Sequence, residues 1–122
     1  RDVVALVGDG GFAHSWAELE TLVRMQIPIT IIVLNNGILG FQRDAETVKF
    51  GKYTTACHFA EVDHVKIAQA CGCEAVRVTQ PQDLKTLMQK VKKRKLPLLI
   101  EVMTDPGAHP ALSLFAQMDS AA

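Results

Sequence analysis

Two short polar segments combine residue types that could hold a phosphorylated ligand. The first is Gly8-Asp9-Gly10-Gly11 and the second is Asn35-Asn36-Gly37. Glycines let a backbone approach an anion closely, and the N–H groups at the start of a following helix point toward it. One carboxylate and one amide oxygen suit Mg²⁺, which prefers oxygen ligands and is usually bound through one or two carboxylates plus substrate phosphates. These residues therefore favour a diphosphate held through Mg²⁺.

Neither segment matches the commoner phosphate-binding fingerprints. A dinucleotide GxGxxG motif would require glycine at the position of Ala13, and no Gly-Lys-Ser/Thr follows as in a Walker loop. Taken singly, each segment could also be an ordinary turn that binds nothing.

An apolar run that predicts a buried strand precedes each polar segment. Val3–Val7 and Ile29–Leu34 are nearly continuous apolar runs, typical of strands that are buried on both faces of a parallel sheet. An apolar stripe at helical spacing predicts a helix over about 14–26 between them. Ligands of open parallel sheets bind at the carboxyl ends of the strands, so we expect Asp9 and an asparagine to face one site.

The remaining sequence continues the alternation of strands and helices. We expect a short helix and a long loop over 38–61, and a helix that Asp63 caps and that stops at Gly72. The further predictions are strands at Glu74–Val78 and Leu96–Met103, a helix opening at Gln80, and a short helix at Leu112–Met118. This order predicts an α/β fold, a three-layer sandwich with a mainly parallel sheet, as a single domain over 1–122.

Composition excludes several other classes of protein. The 122 residues contain 13 Lys plus Arg and 13 Asp plus Glu, so no net charge draws the chain to nucleic acid or an anionic membrane. The longest apolar run is far shorter than the roughly 20 residues of a membrane span. Three cysteines without a CxxC pair favour buried thiols in a reducing, cytoplasmic setting. Cys71 and Cys73 alone would not complete a tetrahedral metal site.

The two polar segments together resemble a known cofactor motif. Gly8-Asp9-Gly10, then 24 residues (11 to 34), then Asn35-Asn36 resembles the GDG…NN motif of thiamine diphosphate-dependent enzymes. The flanking sequences also resemble this family: VVALVGDGGF before the helix and PITIIVLNNGILG after it. Within the family, the resemblance is closest to the acetolactate synthase and 2-oxo acid decarboxylase group. The resemblance covers essentially the whole chain and implies a diphosphate-binding domain that uses thiamine diphosphate and Mg²⁺.

The resemblance assigns roles to individual residues. The metal ligands that it implies are Asp9, the side chain of Asn36 and the carbonyl of Ile38. The cofactor-binding residues that it implies are Gly8, Asp9, Gly10, Gly11, Asn36, Ile38, Leu39 and Gly40. Phe41 and Gln42 are weaker candidates for the substrate side, and Asn35 is expected to shape the turn rather than touch the metal.

The resemblance also implies what this chain lacks. Family members activate the cofactor with a glutamate from a pyrimidine-binding domain, in the same or a neighbouring chain, and no glutamate here matches it. Those considered are Glu18 and Glu20 on the predicted helix and Glu46 and Glu61 in the loop region. Because the chain starts at Arg1 and enters a strand at once, we expect a fragment truncated on its N-terminal side and inactive alone.

The implied whole protein is a homo-oligomeric lyase or transferase acting on a small 2-oxo acid. An acyl-CoA decarboxylase of the oxalyl-CoA type stays open as an alternative. A non-catalytic module that keeps the fold for subunit assembly, or a generic α/β domain with two chance turns, also stays open.

Several other residues are predicted to have structural roles. His14 is expected beside a helix start, His58 and His64 in solvated or capping positions, and Trp16 in the core. The basic run over 90–95 is expected to be a solvated helix terminus. His109 lies in the Pro-containing tail with no expected catalytic part.

Overall fold

The structure is a computed structural model that describes residues 2–91 and 94–108, apart from the side chain of Lys90. Its internal contacts divide the chain into two compact units. The sheet unit comprises 1–35 and 63–104, and the helical unit comprises 36–62 and 105–122. The helix predicted at Leu112–Met118 lies outside the described residues.

A four-stranded parallel sheet organises the sheet unit, as the sequence predicted. Its strands are β1 (Val4–Gly8), β2 (Thr30–Asn35), β3 (Glu74–Val78) and β4 (Leu98–Met103). The spatial order is β1-β2-β4-β3, and every neighbouring pair is parallel. The strands therefore end at one edge, where Gly8 pairs with Leu34 and Asn35 pairs with Met103.

Helices cover both faces of this sheet. The helices of the described chain are α1 (Asp9–Phe12), α2 (Glu18–Arg24), α3 (Gly40–Phe50), α4 (His64–Ala70) and α5 (Pro81–Lys90), of which α3 belongs to the helical unit. Val33 and Leu99 face a core formed with α1, α2 and α4, whereas Ile100 and Val78 face a core formed with α5. The predicted three-layer arrangement is confirmed. None of the helices in the described part of the chain is long and apolar enough to cross a membrane.

The helix predicted over 14–26 is wrong in its extent. The chain becomes helical at Asp9, leaves the helix after Phe12 and resumes it only at Glu18. Backbone bonds from His14 N to Gly11 O and from Ser15 N to Phe12 O close tight four-residue turns in between. These turns let Trp16 and Leu19 pack in the same core that a continuous helix would have contacted. The apolar spacing therefore could not reveal the interruption between α1 and α2.

The prediction that β1 is buried on both faces is also wrong. Val4 and Leu6 are 50% and 65% exposed, while Val7 on the opposite face packs into the core. The strand lies at an edge of the sheet, and α5 packs over β3 and β4 instead. In the part of the chain that the structure describes, no helix packs on the face formed by Val4 and Leu6.

The helical unit is more ordered than the predicted loop. The helix α3 has eleven residues, and a 3₁₀ turn follows at Thr55–Cys57. Glu46, predicted to lie in a loop, is on α3 and accepts hydrogen bonds from Gln42 Nε2 (2.8 Å) and Thr54 N (2.7 Å). These bonds hold the pKa of Glu46 below its usual value and tie α3 to the segment that follows it.

The start and end of α4 agree with the sequence prediction. Asp63 is the N-cap, and its Oδ1 accepts a hydrogen bond from Lys66 N at 3.0 Å. At the other end Gly72 has φ +90°, a left-handed conformation that glycine adopts without strain.

The Asp63 cap provides a direct test of this helix. We expect Asp63→Ala to lower the free energy of unfolding, because the Lys66 N–H loses its acceptor. Asp63→Asn keeps an oxygen acceptor and should retain most of the stability that Asp63→Ala loses. Urea unfolding followed by circular dichroism measures both, and an equal loss in the two variants would show that charge, not capping, is what Asp63 supplies.

Candidate cofactor-binding site

The glycine-rich segment forms the junction between β1 and α1. Asp9 is the first residue of α1 and is only 7% exposed. Its Oδ1 accepts a hydrogen bond from Gly10 N at 2.9 Å, which fixes the carboxylate against its own turn. A carboxylate can accept at about four lone-pair positions, so this bond is compatible with a metal ligand at Asp9.

The backbone beside Asp9 borders open space. A Cβ atom added at Gly8 or at Gly11 would meet no atom within 4 Å. A bulky anion can therefore approach the main chain here. Because α1 is a single turn, its dipole is small, and contacts to an anion would come from individual N–H groups of the segment.

The asparagine segment continues from β2 into the helical unit, where two successive tight turns orient its oxygens. Asn36 Oδ1 accepts from Ile38 N at 3.1 Å, across Gly37 in the left-handed conformation. The Ile38 carbonyl accepts from Gly40 N at 2.9 Å, with Leu39 near the geometry of an inverse γ-turn. Each of these oxygens has a second lone pair beyond the one used.

The 3₁₀ turn supports this segment from the other side. Leu39 N donates to Cys57 O at 2.7 Å, and Phe59 N donates to Gly37 O at 2.9 Å. Ile38 also forms an isolated antiparallel bridge with His58, and its side chain is buried. The backbone around the Ile38 carbonyl is thus held on both sides within the helical unit.

The donor types suit a hard cation. Asp9 in the sheet unit offers a carboxylate, and Asn36 and the Ile38 carbonyl in the helical unit offer two neutral oxygens; Mg²⁺ prefers oxygen ligands of these kinds. Among residues 2–91 and 94–108, no three His, Cys, Asp or Glu side chains are grouped to hold a metal. The cysteines are free thiols, and burial raises the pKa of Cys73, with a smaller contribution from Cys71.

Asn35 does more than shape a turn. It is buried at the end of β2, and its Nδ2 donates to Glu101 Oε1 at 2.8 Å. His64 Nδ1 lies 2.7 Å from the same carboxylate oxygen, and Arg77 Nε donates to Glu101 Oε2 at 2.7 Å. Arg77 Nη2 also lies 3.2 Å from Asp63 Oδ1. These five residues, here named the carboxylate network, are the main feature that sequence reasoning missed.

The expectation that His64 is solvated or capping is wrong. The residue is 3% exposed, and its ring lies 5.7 Å from that of Phe12 and 6.0 Å from that of Trp16, both edge-on. It is the first residue of α4, immediately after the cap at Asp63, so its local sequence indicates only a helix start. Its inward orientation depends on Glu101, which is 37 positions away in the sequence.

Glu101 is the charged centre of the network. It is fully buried. Burial by itself raises the pKa of its carboxyl group, but the hydrogen bonds from His64, Arg77 and Asn35 outweigh this and lower the pKa below its usual value. The same contact raises the pKa of Arg77. Glu101 is therefore ionised in the folded chain at neutral pH.

The other described candidate residues are not members of the carboxylate network. His58 is exposed, as expected; His14, expected beside a helix start, is exposed in the turns between α1 and α2, and His109 lies outside the described residues. Phe41 is 64% exposed. In the basic run, Arg94 is not simply solvated: it donates from Nη2 to Thr30 Oγ1 at 2.8 Å, and burial lowers its pKa.

The pKa of Glu101 predicts how stability depends on pH. A lowered folded-state pKa adds stability that is complete above the unfolded-state value of about 4.3 and is lost as pH falls toward the folded-state value. We expect Glu101→Gln to be about 3 kcal/mol less stable at pH 6, because partners of a buried charge are left unsatisfied.

The difference in the free energy of unfolding between the unsubstituted chain and Glu101→Gln should become smaller from pH 6 to pH 3. Urea unfolding measures this difference. Glu20→Gln serves as the matched control, because the Glu20–Arg24 pair is exposed and should contribute little. A difference that stays constant over this range would contradict an ionised Glu101.

Comparison with known proteins places this arrangement in a family. The family model described as "Thiamine pyrophosphate enzyme, C-terminal TPP binding domain" matches residues 1–102. Thiamine pyrophosphate is thiamine diphosphate. The match includes the whole GDG…NN segment, the strands β1, β2 and β3, and β4 as far as Val102.

Individual relatives agree with the family model. The chain is 35% identical over 103 residues to an acetolactate synthase of Bacillus subtilis (84% of this chain, 18% of that protein). It is 34% identical over 113 residues to a 2-hydroxyacyl-CoA lyase of rice, Oryza sativa subsp. japonica (88% of this chain, 20% of that protein).

A solved structure shows the same fold. The thiamine diphosphate-dependent 4-hydroxybenzoylformate decarboxylase of Rhodococcus jostii RHA1 superposes with a TM-score of 0.81 at 30% identity, covering 86% of this chain and 20% of that one. The chain thus spans about a fifth of the length of the relatives that it matches. It belongs to the thiamine pyrophosphate enzymes, as a C-terminal thiamine pyrophosphate-binding domain.

Proposed function

We propose that the chain is the diphosphate- and Mg²⁺-binding part of an enzyme that decarboxylates a 2-oxo acid or joins the product to an acceptor. The observation that carries this proposal is the buried Asp9 at the end of β1, within a GDG…NN segment that the family model spans. Relatives named for acetolactate synthesis and for 4-hydroxybenzoylformate decarboxylation support the substrate class.

The proposed metal ligands are Asp9, Asn36 and the carbonyl of Ile38. Asp9 supplies the charge that balances the cation, and its bond from Gly10 N holds the carboxylate in one orientation. Asn36 Oδ1 and the Ile38 carbonyl are each fixed by a backbone N–H. The orientation of these oxygens is therefore fixed before a ligand binds. This lowers the entropic cost of binding, because fewer groups have to be ordered.

The remaining cofactor contacts are proposed along the backbone of the two polar segments and the residues that directly follow the second one. Gly8, Gly10 and Gly11 let the diphosphate reach the main chain, and Leu39 and Gly40 line the path toward the reactive carbon. Leu39 is 40% exposed, so its side chain is available to a ligand. When bound, thiamine diphosphate supplies the electron sink for decarboxylation, and the role of this chain is to bind and orient it.

The residue that activates the cofactor is proposed to come from a pyrimidine-binding domain, in the same or a neighbouring chain of a homo-oligomer. Within the described residues, Glu18 and Glu20 are exposed on α2, Glu46 is engaged with Gln42 and Thr54, and Glu101 is buried in the carboxylate network. None of these four carboxylates both lies at the glycine-rich segment and has an accessible side chain.

A second candidate substrate class is an acyl-CoA. The similarity to a 2-hydroxyacyl-CoA lyase is nearly as high as that to an acetolactate synthase, 34% against 35% identity. The cofactor contacts proposed above would be the same in both cases, so substrate tests on the complete enzyme must separate them.

Substitution of Asp9 tests the proposed metal anchor. In a calorimetric titration with thiamine diphosphate, we expect the chain to bind only when Mg²⁺ is present. Asp9→Asn should weaken this binding at least tenfold, because the amide cannot neutralise the cation. Asp83→Asn, which removes an exposed carboxylate from the first turn of α5, is the matched control and should bind like the unsubstituted chain.

Two results of this titration would contradict the proposal. Equal affinity with and without Mg²⁺ would show that the metal does not take part in cofactor binding. Equal affinity of Asp9→Asn and Asp83→Asn would show that Asp9 is not the metal anchor.

The proposal that the activating glutamate comes from another domain gives a separate prediction about turnover. We expect the chain, given thiamine diphosphate, Mg²⁺ and pyruvate or oxalyl-CoA, to release no CO₂ above the rate of the cofactor alone. Mass-spectrometric detection of labelled CO₂ provides the measurement. Release above that background would show that a residue of this chain activates the cofactor.

A further inference from the structure

Glu101 lies in a strand that is otherwise apolar. The sequence of β4 is LLIEVM, and Leu99, Ile100 and Glu101 all have 0% exposure. A buried charge is costly to desolvate, and a well-packed apolar residue often serves stability equally well. Packing and stability alone therefore give no reason for a carboxylate at this position.

The partners of Glu101 come from three different elements. Asn35 is the last residue of β2, His64 is the first residue of α4, and Arg77 lies on β3. Their polar atoms lie 2.7–2.8 Å from the two carboxylate oxygens. One side chain thus fixes the relative positions of three elements near the edge where the strands end.

His64 extends this control to α1. Its ring contacts Phe12, the last residue of α1, and Trp16 just beyond it. A single helical turn has no stability of its own, because nucleating a helix costs more than one hydrogen bond returns. The placement of α1 must therefore come from its packing, and Phe12, 3% exposed, is its buried anchor.

We propose that Glu101 and His64 are positioning residues for Asp9. Glu101 fixes the His64 ring, the ring fixes Phe12, and Phe12 fixes the one-turn helix that begins at Asp9. This inference rests on the proposed function, since it gives the carboxylate network a purpose at the cofactor site. A network that serves stability alone would not make cofactor affinity depend on Glu101.

The experiment compares three variants of the full chain in the presence of Mg²⁺. Glu101→Gln keeps the shape of the side chain and removes its charge. Arg77→Met removes one partner at a side chain that is 43% exposed, so this variant is expected to fold. Val78→Ala is the matched control, because it opens the core under α5 on the opposite face of the sheet.

Two readouts separate positioning from stability. The first is the dissociation constant of thiamine diphosphate, measured at a temperature where circular dichroism shows each variant folded. The second is the fluorescence of Trp16, the single tryptophan of the chain, which lies 6.0 Å from the His64 ring.

We expect Glu101→Gln to weaken binding by 10- to 100-fold, the usual effect of losing a residue that orients a metal ligand. It should also change the Trp16 emission. Arg77→Met should weaken binding about threefold, and Val78→Ala should change the affinity less than twofold and leave the emission unaltered.

The outcomes distinguish this inference from the proposed function. If the unsubstituted chain does not bind the cofactor, the proposed function is overturned. If it binds and Glu101→Gln binds equally well, or if all three variants lose affinity in proportion to their stability, the positioning role is overturned. Should Glu101→Gln fail to fold, an unchanged affinity in Arg77→Met overturns it.

Discussion

A carboxylate without access to water must be met by donors, and this requirement at Glu101 organises the edge where the strands end. Asn35, His64 and Arg77 converge on it from β2, α4 and β3. Because leaving Glu101, Asn35 or His64 unpaired in the core would be costly, these contacts restrict how the three elements can meet. His64 in turn contacts Phe12, so α1 takes its place from the same charge.

The parallel sheet explains why both polar segments begin at this edge. All four strands point the same way, so the glycine-rich segment that follows β1 and the asparagine segment that begins at the end of β2 leave the sheet on one side. The network lies at the same edge in the core, and the polar turns follow it along the chain. In the helical unit, the turn from Asn36 to Gly40 is fixed by its own backbone bonds and by the segment around Cys57. Orientation of the proposed ligands is thus achieved by local bonds in each unit.

Sequence reasoning succeeded where the determining interactions are local and failed where they are distant. Apolar runs gave the strands, and Asp63 and Gly72 gave the limits of α4, because capping and left-handed turns depend on a few adjacent residues. The motif gave the family, confirmed over residues 1–102. His64 and Asn35 were misjudged because their partner, Glu101, is 37 and 66 positions away. The one available signal was a glutamate inside an apolar strand. The exposed side of β1 could not be foreseen either, since an apolar run does not state what will cover it.

Glu101 is ionised in the folded core, and its charge holds the carboxylate network together. Carboxyl ¹³C NMR of the chain, with the Glu101 signal assigned by its loss in Glu101→Gln, measures this charge directly as pH is lowered. We expect a single titration step with its midpoint below the ordinary glutamate value of about 4.3, accompanied by shifts of the His64 and Asn35 side-chain signals. A midpoint at or above that value would mean that burial outweighs the three hydrogen bonds and that the charge of Glu101 does not hold the network together.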